Sequence, residues 1–352
     1  MDVASSTYHS KVSESGYLCS VCIANYNGEQ FLEKCIDSVL QQEGVPGLVE
    51  IIVHDDASID ESVSLIQSRY GQVKLIVSDK NVGFCVSNNR MVAVAQGSYI
   101  LLLNNDAVLH KDALKTLYDA SEKFGEGIFG LPQYDAETGE LIDIGSTFDP
   151  FLNPIPNKDR NRQDVGMIIG ACLWLPKTLW DKIGGFPEWF GSLAEDMYIC
   201  CFARLLGYPV KALPESGFDH WVGRSLGGGK IIKNRRLSTT FRRRIKSERN
   251  KTYVMLICYP LISLWIIFPL HILTLCIEGI ALSLIKRDKK IWKEIYWNCI
   301  KEVWSKRTQL WQWREQVQQL NCLSQRAFFF PFSIFPHKLR MMLKHGLPYV
   351  AD

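Results

Sequence analysis

Three short polar runs follow apolar stretches in the first third of the chain. They are Asn25-Tyr26-Asn27-Gly28-Glu29, Asp55-Asp56-Ala57-Ser58-Ile59-Asp60 and Asn104-Asn105-Asp106. Acids and amides gathered in one place make a pocket that can hydrogen-bond a base and a ribose. Asp106 offers a carboxylate oxygen to a hard divalent cation, which in turn holds phosphates. The plainer reading of Asn104-Asn105-Asp106 is an Asn/Asp turn closing a strand.

Such chemistry needs the three runs side by side, and the intervening pattern supplies elements to do that. Residues 17–24, 49–54, 73–78 and 99–103 read as strands. Residues 31–41, 60–70 and 86–95 read as helices, with Asp60 the expected N-cap of the second. Leu101-Leu102-Leu103 is apolar on both faces, as in the middle of a parallel sheet. The βα alternation predicts an α/β fold with a doubly wound, mostly parallel sheet and helices on both faces. Ligands of such sheets sit at the carboxyl ends of the strands. After about residue 125 the pattern loosens into short strands and Gly/Pro turns, with an apolar stretch at 166–175 and a helix expected over 194–206. The expected organisation is a tail at 1–16, an α/β domain at 17–240, and a third region at 241–352. That region holds a basic linker, an apolar helical hairpin and a Trp-rich amphipathic segment.

The chain has 352 residues and a formal net charge of +3, enough for one large domain plus an appendage. Ten basic residues and one acid, Glu248, lie between Lys230 and Lys251. A block like that suits nucleic acid, anionic lipid or a phosphorylated substrate; of these, no nucleic-acid partner is expected. No GxGxxG follows the first strand and no GxxxxGK[ST] occurs, which argues against a dinucleotide enzyme and a P-loop NTPase. A nucleotidyltransferase would carry a basic triphosphate loop near its first strand, and 25–30 has no basic residue. The eleven cysteines form no disulfide framework. Cys19 and Cys22 have CxxC spacing, but positions three apart on a strand face opposite sides. A reducing compartment is expected, and 1–16 is too polar for an export signal.

Residues 253–285 are mostly apolar, interrupted by Pro260 and Pro269, with basic residues on both flanks. The flanks and the length favour a re-entrant or shallow helical hairpin over one span; a buried soluble helix pair is the alternative. Residues 291–319 carry Trp292, Trp297, Trp304, Trp311 and Trp313 among charges, as an interfacial helix would. The run Phe328-Phe329-Phe330-Pro331-Phe332 is a further candidate membrane contact. Trp189 and Phe190 could stack on a sugar face or belong to the core. Exposed aromatics in the tail allow a homo-oligomer without demanding one.

Residues 17–114 resemble the GT-A glycosyltransferases of family 2. The matching runs are Val21 to Asn27, Cys35 to Gln42, Asp55 to Asp60, Asn81-Val82-Gly83-Phe84 with Asn88-Asn89, and Asn104-Asn105-Asp106. A second block is similar as well: Gly170-Ala171-Cys172, Gly184-Gly185-Phe186, Glu195-Asp196, then His220 with Gly223 and Ser225. Arg249-Asn250 and Lys306-Arg307 look like the rhamnosyltransferase branch. The resemblance implies an inverting transfer from a nucleotide-diphosphate sugar, with rhamnose the first donor to consider, assisted by Mg2+ or Mn2+. It implies a saccharide or polyprenyl-diphosphate-linked acceptor, cell-surface polysaccharide as the product, and the cytoplasmic face of the plasma (inner) membrane as the place.

By the same resemblance Asp55 bonds the base, and Asn25, Asn27, Glu29, Ser58, Asn81, Gly83, Asn88, Asn104 and Asn105 line the donor site. Asp106 and His220 are the implied metal ligands. Asn104 stands where the family carries its first DxD acid, and an amide brings no charge. Asp196 is the implied general base, and Glu195 positions the acceptor together with Trp189, Phe190 and Arg249. The rival readings are a membrane-docked sugar-nucleotide binder without turnover and a nucleotidyltransferase.

Overall fold

The computed structural model describes residues 16–221, 228–231, 237–345 and 349–351. Residues 1–15 and the motif positions Gly223 and Ser225, like Arg224, lie outside the described residues. Strands β1 (Tyr17–Asn25), β2 (Leu48–Asp55), β3 (Lys74–Val77) and β4 (Tyr99–Asn104) run parallel in the order β4-β1-β2-β3. Helices α1 (Glu29–Leu40), α2 (Ser62–Arg69) and α3 (Phe84–Ala93) connect them. Cys172–Pro176 extends the sheet antiparallel to β4, and Ile128–Gly130 and Val210–Ala212 complete its seven strands.

Both faces of this sheet are covered, which is why its central strands are mostly apolar on both faces. Cys19, Val21 and Ile23 of β1 pack against α1 and α4 (Ala113–Phe124), whereas Cys22 packs against α3. The CxxC pair is thus split between two cores, and none of the eleven cysteines is paired. The expected cap of α2 is displaced by one residue: Glu61 holds the cap position. Asp60 still accepts the Ser62 N–H at 3.1 Å, and it also accepts the Glu29 N–H at 3.0 Å.

A second, four-stranded sheet contains β5 (Ala107–Leu109), Phe218–His220, Gln133–Asp135 and Leu141–Asp143. Its register sets His220 opposite Ala107. Helices α5 (Lys177–Ile183) and α6 (Glu195–Leu205) lie on the α3 side of the main sheet, and α7 (Phe241–Cys258) packs on α6.

The expected apolar hairpin is corrected. Tyr253, Val254, Met255, Ile257 and Cys258 form the buried end of α7, not a membrane segment. The chain breaks once, at Tyr259-Pro260, and continues as one 26-residue helix, α8 (Leu261–Lys286). Pro269 lies inside α8 and does not end it. Its ring removes the N–H that would bond the Trp265 carbonyl, and Trp265 lies on the exposed side of the helix.

The Trp-rich region is a π-helical segment, Ile291–Trp297, followed by α9 (Asn298–Ser305) and α10 (Arg307–Gln319). Trp297, Trp304 and Trp311 are exposed, but Trp313 turns inward and donates to the Tyr198 hydroxyl at 2.8 Å. The Phe-rich run is also mostly core: Phe328, Phe329 and Phe332 pack on Tyr259, and Phe330 alone of them is exposed.

Candidate functional site

Register builds the first wall of the site. Asn25 pairs with Asp55 across β1 and β2, and Ala24 pairs with Asn104 across β1 and β4, so all three polar runs leave the sheet at one edge. Asn25 is buried and donates from Nδ2 to Asp55 Oδ2 at 2.8 Å, while its Oδ1 accepts Asn105 Nδ2 at 2.7 Å. Asp55 Oδ1 accepts the Ser58 N–H at 2.9 Å. Ser58 Oγ accepts the Asn27 N–H at 2.8 Å, and Asn27 Oδ1 accepts the Ile59 N–H at 2.9 Å. Glu29 accepts the Glu61 N–H at 3.3 Å. These bonds lace the first and second runs into one rigid surface.

The second wall follows β4. Asp106 Oδ1 lies 3.0 Å from His220 Nε2, and both side chains are buried. Asn104 Nδ2 is 3.5 Å from the same nitrogen. The Gln133 amide approaches His220 Nδ1 at 2.6 Å and fixes the ring. A carboxylate oxygen and an imidazole nitrogen converging at this distance are a donor pair that fits a divalent cation, with substrate phosphate and water as the remaining ligands. Among the described residues no three His, Cys, Asp or Glu side chains gather around a metal-sized space. Loading such a cation on Nε2 requires the His220 proton to sit on Nδ1 and Gln133 to present its carbonyl oxygen there.

The third wall is the loop before α6. Gly191, Leu193 and Ala194 all have positive φ, at 71°, 71° and 67°. This tight coil delivers Glu195 and Asp196 to the first turn of α6. Asp196 accepts the Met197 N–H at 2.8 Å and the Gly170 N–H at 3.2 Å. The next residue, Ala171, accepts the Asn104 N–H at 3.0 Å, which joins the acid to the β4 edge. On the other side Gly191 accepts the Cys85 N–H at 3.2 Å, and Asp56 grips the Val82 and Gly83 N–H groups at 2.7 and 2.8 Å. A Cβ on Gly83 (φ 91°) would sit 3.3 Å from the Gly191 carbonyl. These contacts join the three walls into one continuous edge.

Electrostatics separate the two acids. Burial, and then the neighbouring Asp196 charge, push Glu195 up to about 8. Its Oε2 is buried without a hydrogen-bond partner. Burial also raises Asp196, but backbone N–H donors oppose the shift, and Arg243 does so less strongly. Glu195 is thus pushed toward its protonated form, whereas the backbone donors of Asp196 favour its ionised form.

Residues 20–184 match the sequence profile described as glycosyl transferase family 2. This segment belongs to that family. Chondroitin synthase of Escherichia coli is 30% identical over 187 residues, 52% of this chain and 26% of that protein. The succinoglycan biosynthesis protein ExoO of Rhizobium meliloti is 32% identical over 107 residues, 30% of each chain. This chain thus spans less than a third of either relative. The fold is that of S. aureus TarS 1-349 in complex with UDP-GlcNAc, with a TM-score of 0.51 and 14% identity over 86% of this chain and 90% of that one. It is also that of GalNAc-T7 with UDP, GalNAc and Mn2+, with a TM-score of 0.55 and 16% identity over 69% and 49%. The domain is a GT-A fold.

Asn25, Asn27, Glu29, Asp55, Ser58, Asn104, Asn105, Asp106 and His220 share the β-sheet edge. Asn81 is exposed at the rim. Asn88 is not turned toward the cleft: it donates to the Phe84 carbonyl of its own helix at 2.8 Å. Phe190 is 1% exposed and is core, so it offers no sugar platform. Trp189 packs against Phe190, Tyr253 and Trp313, with the Lys306 ammonium 5.2 Å from its ring. Arg249 is committed to Asn250 Oδ1 at 2.9 Å, the Phe190 carbonyl at 3.3 Å and Glu302 at 3.4 Å, and does not stand free for an acceptor. Sequence reasoning missed Asp56, Gln133, Asn89 and Lys246. Asn89 clasps the backbone of Phe186 with both ends of its amide at 2.9 Å. Asp56 and Asn89 lie inside the matching runs but were given no role of their own; Gln133 and Lys246 carry no local signal.

Proposed function

We propose that the chain is an inverting, metal-dependent glycosyltransferase. It moves a sugar from a nucleotide-diphosphate donor to a saccharide, free or carried on a polyprenyl diphosphate, in the synthesis of a cell-surface polysaccharide. The observation that carries this reading is the joined edge at which Asp106 and His220 stand 3.0 Å apart and Asp196 is tied through Gly170 and Ala171 to Asn104. The polysaccharide product is supported by the names of the relatives, a chondroitin synthase and a succinoglycan biosynthesis protein. By resemblance, Arg249-Asn250 and Lys306-Arg307 point to dTDP-rhamnose as the first donor to test.

The chain's own residues divide the work. The surface built from Asn25, Asn27 and Ser58 receives the nucleoside, and Asp55 keeps that surface rigid. Asp106 and His220 would hold Mg2+ or Mn2+, which would offset the charge growing on the departing diphosphate. Asp196, oriented by two N–H groups, takes the proton of the acceptor hydroxyl as it attacks the anomeric carbon. Attack comes from the face opposite the nucleotide, so one displacement inverts the configuration. Neutral Glu195 can donate a hydrogen bond to the acceptor.

The enzyme would act on the cytoplasmic face of the plasma membrane. One side of α8 exposes Leu261, Ile262, Trp265, Ile266, Leu270, Leu273, Ile277, Ile280 and Leu284. The other side is tied to the protein: Glu278 pairs with Arg244 and Lys338, and the His271 ring meets the Thr252 hydroxyl at 2.8 Å. A helix bound along its length to a folded domain lies flat on a bilayer rather than across it, and Lys286, Arg287, Lys289 and Lys290 at its end suit anionic headgroups.

Asp196→Asn is the direct test. Donor affinity, measured calorimetrically with Mn2+ present, is expected to stay near wild type while transfer falls about 100- to 10,000-fold. Undiminished transfer by this variant, or wild-type turnover in excess EDTA, would remove the base or the metal from the mechanism. Asn104 favours the rival of a donor-binding protein without turnover; its signature is tight donor binding with no transfer to any saccharide.

A further inference from the structure

We propose that Asn250 is a positioning residue that holds the loop before α6, and through it the Asp196 carboxylate, in working geometry. The inference rests on the glycosyltransferase reading for what the loop does, and on geometry alone for the clamp.

Asn250 is fully buried in α7. Its Nδ2 donates to three carbonyls of one loop: Phe190 at 3.1 Å, Ser192 at 3.0 Å and Leu193 at 2.8 Å. An amide nitrogen has two hydrogens, so one of these bonds is shared. Its Oδ1 is held in turn by Arg249 Nε at 2.9 Å. The rest of this face of α7 serves the same loop. Lys246 Nζ donates to Ser192 Oγ at 2.9 Å, Arg249 donates to the Phe190 carbonyl, and the Tyr253 ring packs 4.9 Å from that of Trp189 and 6.1 Å from that of Phe190. Positions 246, 249, 250 and 253 follow the i, i+3, i+4, i+7 spacing of a single helix face.

The loop needs such a clamp. Leu193 and Ala194 have positive φ without being glycine, a strained conformation for a side-chain-bearing residue. Buried carbonyls also require donors. Ala194 is the residue immediately before Glu195, so any relaxation of the coil moves the first turn of α6. A displacement of about 1 Å at a reacting group can cost roughly 100-fold in rate. No charge or bulk is needed at position 250, only two N–H donors on a short stem. Asp supplies none and would face three carbonyl oxygens with a negative charge.

Asn250→Ala, Asn250→Asp and Asn250→Gln in the full chain test the clamp by three measurements. Hydrogen–deuterium exchange of residues 190–197 is expected to rise in the Ala and Asp variants. Donor affinity with Mn2+ should stay within about twofold of wild type, because the β1–β2 wall is untouched. Transfer should lose roughly 100-fold in kcat with little change in donor KM, and the acid limb of its pH profile should move. Asn250→Gln keeps the carboxamide and should recover part of kcat. Lys246→Ala, which removes the Ser192 bond together with a positive charge that acts on Glu195, should give a smaller loss with the same rise in exchange should the position-250 variants fold poorly.

Unchanged exchange overturns the clamp whatever the reaction. Raised exchange with wild-type kcat overturns the link to the base. A parallel fall in donor affinity and melting temperature would mean a general structural role and would also overturn it. Failure of the wild type to transfer any sugar would count against the glycosyltransferase reading, and the exchange experiment would still decide the clamp.

Discussion

At the scale of residues, the separation of Glu195 from Asp196 is the most consequential feature. Two adjacent acids share one helix start, yet only Asp196 is held by backbone donors on both sides. Burial lifts Glu195 from its ordinary 4.5 to about 8, so the folded chain keeps a proton that the unfolded chain releases. Between those values the folded state binds more protons, and stability falls as pH rises. Glu195→Gln removes this contribution, so the variant should gain stability relative to wild type from about pH 5 to pH 8. Melting curves at several pH values measure it; a constant offset between the two proteins across that range would contradict the buried proton. The pair and, by resemblance, its roles were read from the sequence, but the electrostatic difference between the two acids was not, because Gly170 and Met197 become donors only after folding.

At the scale of elements, α1 begins where the first two strands end, and Gly28 lies at that junction. Its Cβ would overlap the Asn25 and Asn105 carboxamides, which are hydrogen-bonded to each other inside the cleft wall. Gly28→Ala is therefore expected to break that bond, destabilise the fold by on the order of 2 kcal/mol and weaken donor binding. Thermal melting together with donor calorimetry checks both parts, and wild-type values in both would show that the wall can yield. The βα alternation was legible because the central strands are mostly apolar on both faces and α1 has one apolar face. Prolines were read less well. Pro260 breaks the chain, since Tyr259 turns into an extended conformation before it, whereas Pro269 is absorbed by the exposed side of α8.

At the scale of the whole molecule, charge and apolarity are sorted onto opposite sides of the C-terminal helices. Glu248 takes Lys251 at 2.7 Å and Lys338 at 2.5 Å, while Lys338 reaches Glu278 at 2.8 Å, so α7, α8 and the helix His337–His345 share one ionic knot. The apolar side of α8 is left outward, with Trp297, Trp304 and Phe330 also exposed. Full-length protein should sediment with vesicles containing anionic lipid, more weakly as salt rises. Trp265→Glu combined with Ile277→Glu should abolish that binding while leaving donor affinity intact. Equal sedimentation of the variant, or resistance of the wild type to alkaline extraction, would contradict a helix lying flat.

Residue order alone determined the first four strands, the helices between them, their parallel pairing and the three polar runs at the strand ends, because period and polarity act locally and β–α connections admit few topologies. It also marked Asp106, His220, Glu195 and Asp196 as chemistry-bearing residues. Only the tertiary structure decided who touches whom. Phe190 became core, Arg249 turned from ligand to scaffold, Gln133 reached His220 from a separate strand, and Asn250 reached back some 60 residues to hold the loop beside the base. Those contacts depend on how elements distant in the chain pack against one another. No local pattern of side chains encodes that arrangement.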